Sequence, residues 1–426
     1  MSKRALQKSL DFKRLTLYGV GTIIGAGIYS VVGPAAEIAG NAIWISFIVA
    51  AAIAALTALS YAELASALPN AGAEHSFLRQ AIPRFPAFAF VVGLFIAVHG
   101  AATFATVALT FGSYARSIIT FDARVMAVAL IVLATAINIA GVARASAVSA
   151  ILTVFQIGCL VAFAITALAT QGAVVSNASS PENWSDILKA AAILFFIYSG
   201  FEHMATLSEE AKNPSRDLWR AFIAALSITA AVYVVVIFGV LALVQADAIA
   251  KSDFPLAAAA EKLGYGFPSV IIGAALLATA NAVLSASLSG SRLLFGMSRS
   301  GDLPSFLQQT IKVSKSPWAG ALVIAIAAVV FVMLGEIKMV ASLSSLGVTL
   351  VFAAVNAAVI ILRYTKPKLN RPFAVPSIGN VPVTAILGVV FSLLLSAQYD
   401  WIVYTVFGGA FLAGALPYAF LRRSRR

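Results

Sequence analysis

Twelve long, nearly charge-free apolar runs follow one another along this chain. They lie at about 15–36, 42–62, 87–115, 125–143, 147–170, 190–208, 221–246, 268–291, 318–335, 340–362, 381–398 and 401–421. Each is close to the roughly 20 residues that a helix needs to cross a bilayer. None shows the period-2 alternation of barrel strands. With 61% of its 426 residues hydrophobic and 11% charged, the chain has too little polar surface to cover a soluble globule. The expected fold class is an all-α membrane protein with twelve transmembrane helices, in a single domain over residues 1–426.

The formal charge of +12 is explained by where the charges sit. An even number of spans puts both termini on one side, and only six of the 29 Lys and Arg (Arg116, Arg124, Lys189, Lys251, Lys262 and Lys338) fall on the other. Basic residues concentrate in cytoplasmic loops. Both termini are therefore expected in the cytoplasm, and the charge is topological rather than a footprint for nucleic acid. The basic segment Met1–Arg14 runs into a full-length span, so it reads as a cytoplasmic tail, not a signal peptide. One cysteine, Cys159, and three histidines leave no disulfide and no metal cluster. There is no phosphate-binding loop and no nucleophile–base frame, so neither an enzyme nor a cofactor is expected.

The first run is interrupted at its centre. Gly21-Thr22-Ile23-Ile24-Gly25-Ala26-Gly27-Ile28 carries three glycines, each costing about 1 kcal/mol against alanine in a helix interior. Gly21 and Gly25 have the spacing of a helix-packing seam. The alternative is a helix break, tolerated at membrane depth where it is buried in protein or lines a cavity. A break there starts a second half-helix near Ile28, whose free N–H groups and dipole suit a carboxylate. Free carbonyls at Ile23 and Ile24 suit an ammonium. The sixth run is interrupted as well, at Tyr198-Ser199-Gly200. Paired interruptions in corresponding spans mark the sites of transporters built from repeats, and they favour a site over a seam.

Several polar residues lie inside the runs. A charged acid at a span centre costs about 2.5–3.5 kcal/mol, so Glu202 must face protein or water, be paired, or carry a proton. It is either a proton-coupling group or a structural carboxylate. His99, with Thr103 and Thr106 in helical reach, is a candidate coupling residue or a satisfied core histidine. Glu63 is an inner-gate partner for a cytoplasmic Arg or an interfacial anchor. Ser285 and Ser287 either pack or offer oxygens to a small cation. Asn213-Pro214 reads as a helix stop and restart, and 245–267 and 301–317 as loops with short helices. No continuous polar stripe suggests a channel.

Four segments then resemble one family. The Gly21–Ile28 motif resembles helix 1 of the amino acid–polyamine–organocation (APC) superfamily. Phe195–Asp217 resembles its helix 6 and following loop. Tyr61-Ala-Glu-Leu with Pro69-Asn-Ala-Gly72 resembles the end of its helix 2, and Ser291–Pro304 the end of its helix 8. The resemblance implies a LeuT-like inverted repeat, with five helices at 15–170, five at 189–364 and two more at 381–421. Helices 1 and 6 would be discontinuous. It implies an amino acid between those two helices, with its carboxylate on the N–H groups of Gly25, Ala26 and Gly27. The amine would meet carbonyls of Ile23 and of Phe196 through Tyr198 to Ser199, and Phe201 would be a gate. Some proton-coupled members carry a helix 5 lysine, and here that position holds Gln156, which cannot titrate.

The expected function is secondary active transport of an amino acid across the cytoplasmic membrane by alternating access. Coupling is expected by proton symport through Glu202 or by exchange for another amino acid, with sodium through Ser285 and Ser287 third. Rival readings are polyamine or amine transport and an amino acid receptor that moves nothing. Phe195, Phe196, Tyr198 and Phe201 point toward neutral or apolar substrates.

Overall fold

The computed structural model describes residues 6–170, 177–252, 254–264, 266–334, 337–397, 401–405 and 407–409, with backbone only over 337–345. The chain is a succession of helices: α1 Phe12–Ile23, α2 Gly27–Ser30, α3 Val32–Ala39, α4 Ile43–Ala67, α5 Ala73–Ala81 and α6 Pro86–Arg116. There follow α7 Ala123–Ile139, α8 Val142–Thr170, α9 Trp184–Phe195, α10 Glu202–Thr206 and α11 Pro214–Leu243. The rest comprises α12 Ala246–Ala250, α13 Pro255–Ala260, α14 Phe267–Arg299, α15 Trp318–Leu334, α16 Ile337–Thr365 and α17 Val383–Ser396. Among the described residues only isolated β-bridges occur.

Helix starts follow local chemistry. Asp11, Asp122 and Asn183 cap α1, α7 and α9 by accepting N–H groups of the first turn, which satisfies donors that have no intrahelical partner. Proline opens α6 and α11, where its missing N–H costs nothing; the Asn213-Pro214 stop and restart lies at the α11 start. Among the described residues seven helical stretches are long and apolar enough alone to cross a bilayer, the first being Val32–Ala67 and the last Leu346–Thr365. α7 and α15 are apolar but shorter. Each of the first eleven apolar runs holds a helix, and most of the twelfth, 401–421, lies outside the described residues. α12 and α13 occupy the 245–267 loop, yet Leu256, Ala259 and Ala260 are buried rather than lying on a surface.

At the centre α1 packs against α8, α10, α11 and α14. Lipid tails give apolar side chains no reason to leave them, so association relies on close packing and interhelical hydrogen bonds. Gly239 of α11 meets the Ala164 backbone of α8 at such an approach: a Cβ there would lie 2.9 Å from the Ala164 Cα.

The side carrying the N-terminus is clamped by charge. Arg292 of α14, fully buried, donates to both carboxylate oxygens of buried Glu210, at 3.1 and 3.2 Å, and to Asn138 of α7. Arg299 grips Glu209, which also accepts the N–H of Ala71 at 2.9 Å. The N-terminal segment joins the same loop through Ser9 and Leu10 N–H groups on the Glu210 carbonyl. Removing one partner of a buried ion pair costs about 3–5 kcal/mol, because the other charge is left stranded. Glu210→Ala is therefore expected to lower the melting temperature in detergent far more than Lys189→Ala, which breaks an exposed pair. Comparable melts for the two would refute this.

Candidate functional site

The first span is broken where its glycines cluster. Ile24 N–H still reaches the Val20 carbonyl (2.8 Å), but Gly25 N–H turns back to Ile23 (2.8 Å). Helix resumes at Gly27. Among the described residues the N–H groups of Ala26, Gly27 and Ile28 have no hydrogen-bond partner, nor does the Thr22 carbonyl, which Ala26 would take in an unbroken helix. The Ile23 carbonyl accepts the Tyr233 hydroxyl (3.0 Å) and the Ile24 carbonyl accepts the Gln156 amide (3.0 Å). Three adjacent donors are thus left unpaired among the described residues, close in sequence to an open carbonyl. The donor set differs by one residue from Gly25, Ala26 and Gly27, because Gly25 spends its N–H inside the break.

The second break lies against the first. α9 ends at Phe195, one 3-10 turn covers Phe196–Tyr198, and Ser199 is extended. Gly200 has φ 113°, a left-handed backbone that side chains disfavour. A Cβ on Gly200 would also lie 2.6 Å from the Thr22 carbonyl oxygen. Gly27 faces Ile197 in the same way, at 2.7 Å from its Cγ2, and Gly21 faces Thr153 and Asn281. Gly25 differs: its nearest neighbours, Ala282 Cβ and the Thr22 carbonyl, lie at 3.6 and 3.7 Å. Within one motif, then, Gly21 and Gly27 serve packing while Gly25 borders space. Glu202 folds back so that its Oε2 accepts Gly200 N–H at 2.7 Å, holding the second break. The Tyr233 hydroxyl also contacts the Ile197 carbonyl at 3.2 Å, so one side chain bridges both breaks.

Between the breaks is a cavity of about 250 Å³, somewhat below the roughly 300 Å³ at which pockets for drug-sized ligands begin. Ile23, Gly25, Ala26, Gly27, His99, Phe196, Ser199, Glu202 and Ser285 line it. Other residues named from the sequence do not. Tyr198 is buried with its hydroxyl on the Phe47 carbonyl (3.1 Å), and Phe201 stacks on Phe352 at 5.4 Å. Gln156 sits behind the first break. Ser287 accepts the Asn138 amide at 3.0 Å, away from Ser285. Glu63 is buried elsewhere, against Arg363 (2.8 Å), Arg371 (3.0 Å) and Val375 N–H (2.7 Å). The apolar wall comes from Val31, Val107, Ile197, Ala282, Ala286 and Val348; of the aromatic residues of helix 6, only Phe196 contributes. Sequence reasoning missed Thr110, which continues a polar stripe of His99, Thr103 and Thr106 on α6. Its spacing of four, three and four residues was the available signal. Tyr233 gave no such signal, being one aromatic residue in an apolar run.

These contacts separate the glycines experimentally. Gly200→Ala meets both a backbone penalty of about 1–2 kcal/mol and an overlap with Thr22, and it is expected to yield little folded protein by size exclusion. Gly25→Ala is expected to fold and to melt near the parent temperature. Equal yields for both variants would contradict the assignment.

Comparison with known proteins follows the same line. The Amino acid permease family matches residues 10–412. The chain is similar to an uncharacterized transporter of Mycobacterium tuberculosis, 30% identical over 381 residues, covering 88% of this chain and 84% of that protein. It is 27% identical over 446 residues to the branched-chain amino acid permease BcaP of Bacillus subtilis, covering 98% and 93%. It is also 27% identical to the methylthioribose transporter of that organism, over 89% of this chain and 86% of the relative. These relatives are transporters, not enzymes. Over nearly its whole length, the chain is a multi-pass membrane protein of the amino acid permease family, within the APC superfamily.

Proposed function

We propose that this permease moves a neutral amino acid across the cytoplasmic membrane by alternating access, in symport with a proton carried by Glu202. The observation that carries the reading is the pairing of the two helix breaks around one small cavity. Ala26 and Gly27, which line it, offer unpaired N–H groups, with that of Ile28 next in the same turn, a geometry that suits a carboxylate. The Thr22 carbonyl and the Glu202 carboxylate offer acceptors for an ammonium. Between them the wall is aliphatic and threonine-lined, which suits a neutral side chain. The similarity to a branched-chain amino acid permease supports the same class.

In this reading the chain has twelve spans with both termini in the cytoplasm. Residues 15–170 and 189–364 form two inverted repeats, with two further helices at 381–421. The buried Arg292–Glu210 and Arg299–Glu209 contacts then form the inner gate. Glu202 is suited to coupling because one carboxylate both borders the cavity and holds Gly200 N–H. A bond to a charged acceptor is roughly twice as strong as a neutral one, so protonation loosens the second break while it neutralises the cavity. Gln156 has no part in proton carriage and instead pins the Ile24 carbonyl.

Purified protein in proteoliposomes is expected to accumulate a branched-chain amino acid when the lumen is alkaline. Gly25→Ala, whose added methyl borders the cavity, is expected to raise KM about tenfold, equivalent to about 1.4 kcal/mol. Glu202→Gln is expected to abolish pH-driven accumulation while keeping exchange of internal for external substrate. Full accumulation by Glu202→Gln would remove proton carriage by that residue. Indifference of the unmodified protein to the pH gradient would favour exchange without an ion.

A further inference from the structure

Beside the central cavity lies a second, smaller one of about 30 Å³. Glu202, His99 and His203 border both cavities. The second adds Tyr61 of α4, Glu74 of α5 and Ser289 of α14. A water needs about 10–15 Å³ of such space and two to four polar partners, so there is room here for about two.

Glu74 is the unusual member. It is buried, its Oε1 accepts the Tyr61 hydroxyl at 3.0 Å, and its Oε2 is buried with no partner among the described residues. A buried carboxylate oxygen without a partner is costly unless the group is protonated or meets water. The titratable groups facing it are Tyr61 from α4, His99 from α6, and Glu202 and His203 from α10. From α14 comes Ser289, and from the described side chains of α16 come Val348, Val351 and Phe352. Arg292 of α14 is held by Glu210 and Asn138, and His75, next to Glu74, is turned to Asp302 at 2.7 Å. No cation is paired with Glu74 among the described residues. Burial, with a smaller contribution from Glu202, pushes its carboxyl up to about 7.

We propose that Glu74 is a second proton-holding carboxyl of this transporter, exchanging a proton with Glu202 through water in the small cavity that both line. Protonated Glu202 gives its proton to a cavity water, and that water passes one of its own to Glu74 Oε2. Glu202 is left as carboxylate, Glu74 becomes the acid, and the water is regenerated, with no change in total charge. The proton has then left the substrate cavity for α5, whose Arg79 is 38% exposed and bonds Asp302. Glu74 thus serves as the exit station on the N-terminal side.

The proposal rests on the symport reading, and the test separates the two. Proteoliposomes loaded with a pH-sensitive dye report proton entry when substrate is added outside. The unmodified protein is expected to acidify the lumen. Glu74→Gln is expected to lose that signal at least tenfold while keeping substrate exchange, and Glu74→Asp, which retains a carboxyl, to recover most of it. Proton entry by Glu74→Gln within twofold of the parent would overturn the proposal and leave symport intact. No proton entry with the unmodified protein would overturn symport, and the relay as a step of transport with it. Infrared titration of the protein in detergent gives a readout independent of transport. A protonated-carboxyl band that disappears on raising the pH through neutrality is expected in the parent and missing in Glu74→Gln. A band unchanged by that substitution would refute the assignment.

Discussion

Two interruptions of the helix ladder touch at Gly200 and Thr22, and the architecture depends on that contact. A helix satisfies its own backbone in lipid; a broken one does not, and each stranded group costs several kcal/mol there. Here the second break, bent at Gly200, presses on the first at the Thr22 carbonyl. Tyr233, Gln156 and Glu202 take up further groups that the breaks release. Of the N–H groups they leave unpaired, those of Ala26 and Gly27 belong to residues that line the space on which both spans open. The cavity is therefore the remainder of a satisfaction problem: protein partners cover the periphery of the breaks, and a ligand is the natural partner for the middle.

Charge plays a different part. Buried ion pairs add little net stability compared with apolar packing, although removing one partner is expensive. The pairs on the N-terminal side each tie together elements far apart in sequence. Arg292 joins α14 to the loop before α11, and Glu63 joins α4 to the end of α16 and the segment after it. They fix which segments meet, and because each pair is made of point contacts it can separate as a unit. Small-residue packing such as Gly239 on Ala164 has no comparable release.

Much of this was legible in the residues. Apolar runs located the helices because a bilayer imposes one length on every crossing. Glycines located both breaks, by a left-handed backbone at Gly200 (φ 113°) and by close approach of neighbours at Gly21 and Gly27. Which glycine did what was not legible: Gly21, Gly25 and Gly27 look alike in sequence and differ only in what lies opposite, at Thr153, Ala282 and Ile197. Side-chain direction at the second break was equally hidden. Tyr198 and Phe201 flank Ser199-Gly200 in sequence, yet both are buried in the core. Glu74 passed without notice because a single acid outside the apolar runs reads as surface, and only the packing of α5 against α6, α14 and α16 buries it.

The phenol of Tyr233 has a further consequence. Its oxygen carries one proton and stands 3.0 Å from the Ile23 carbonyl and 3.2 Å from that of Ile197. A single O–H cannot serve both at full strength, so the proton is divided between the two half-spans like the pointer of a balance. If the spans slide by a few tenths of an ångström, one carbonyl gains the whole hydrogen bond and the other is released toward the cavity that both residues line. A rigid-body shift too small to alter the packing would then change which carbonyl the cavity presents.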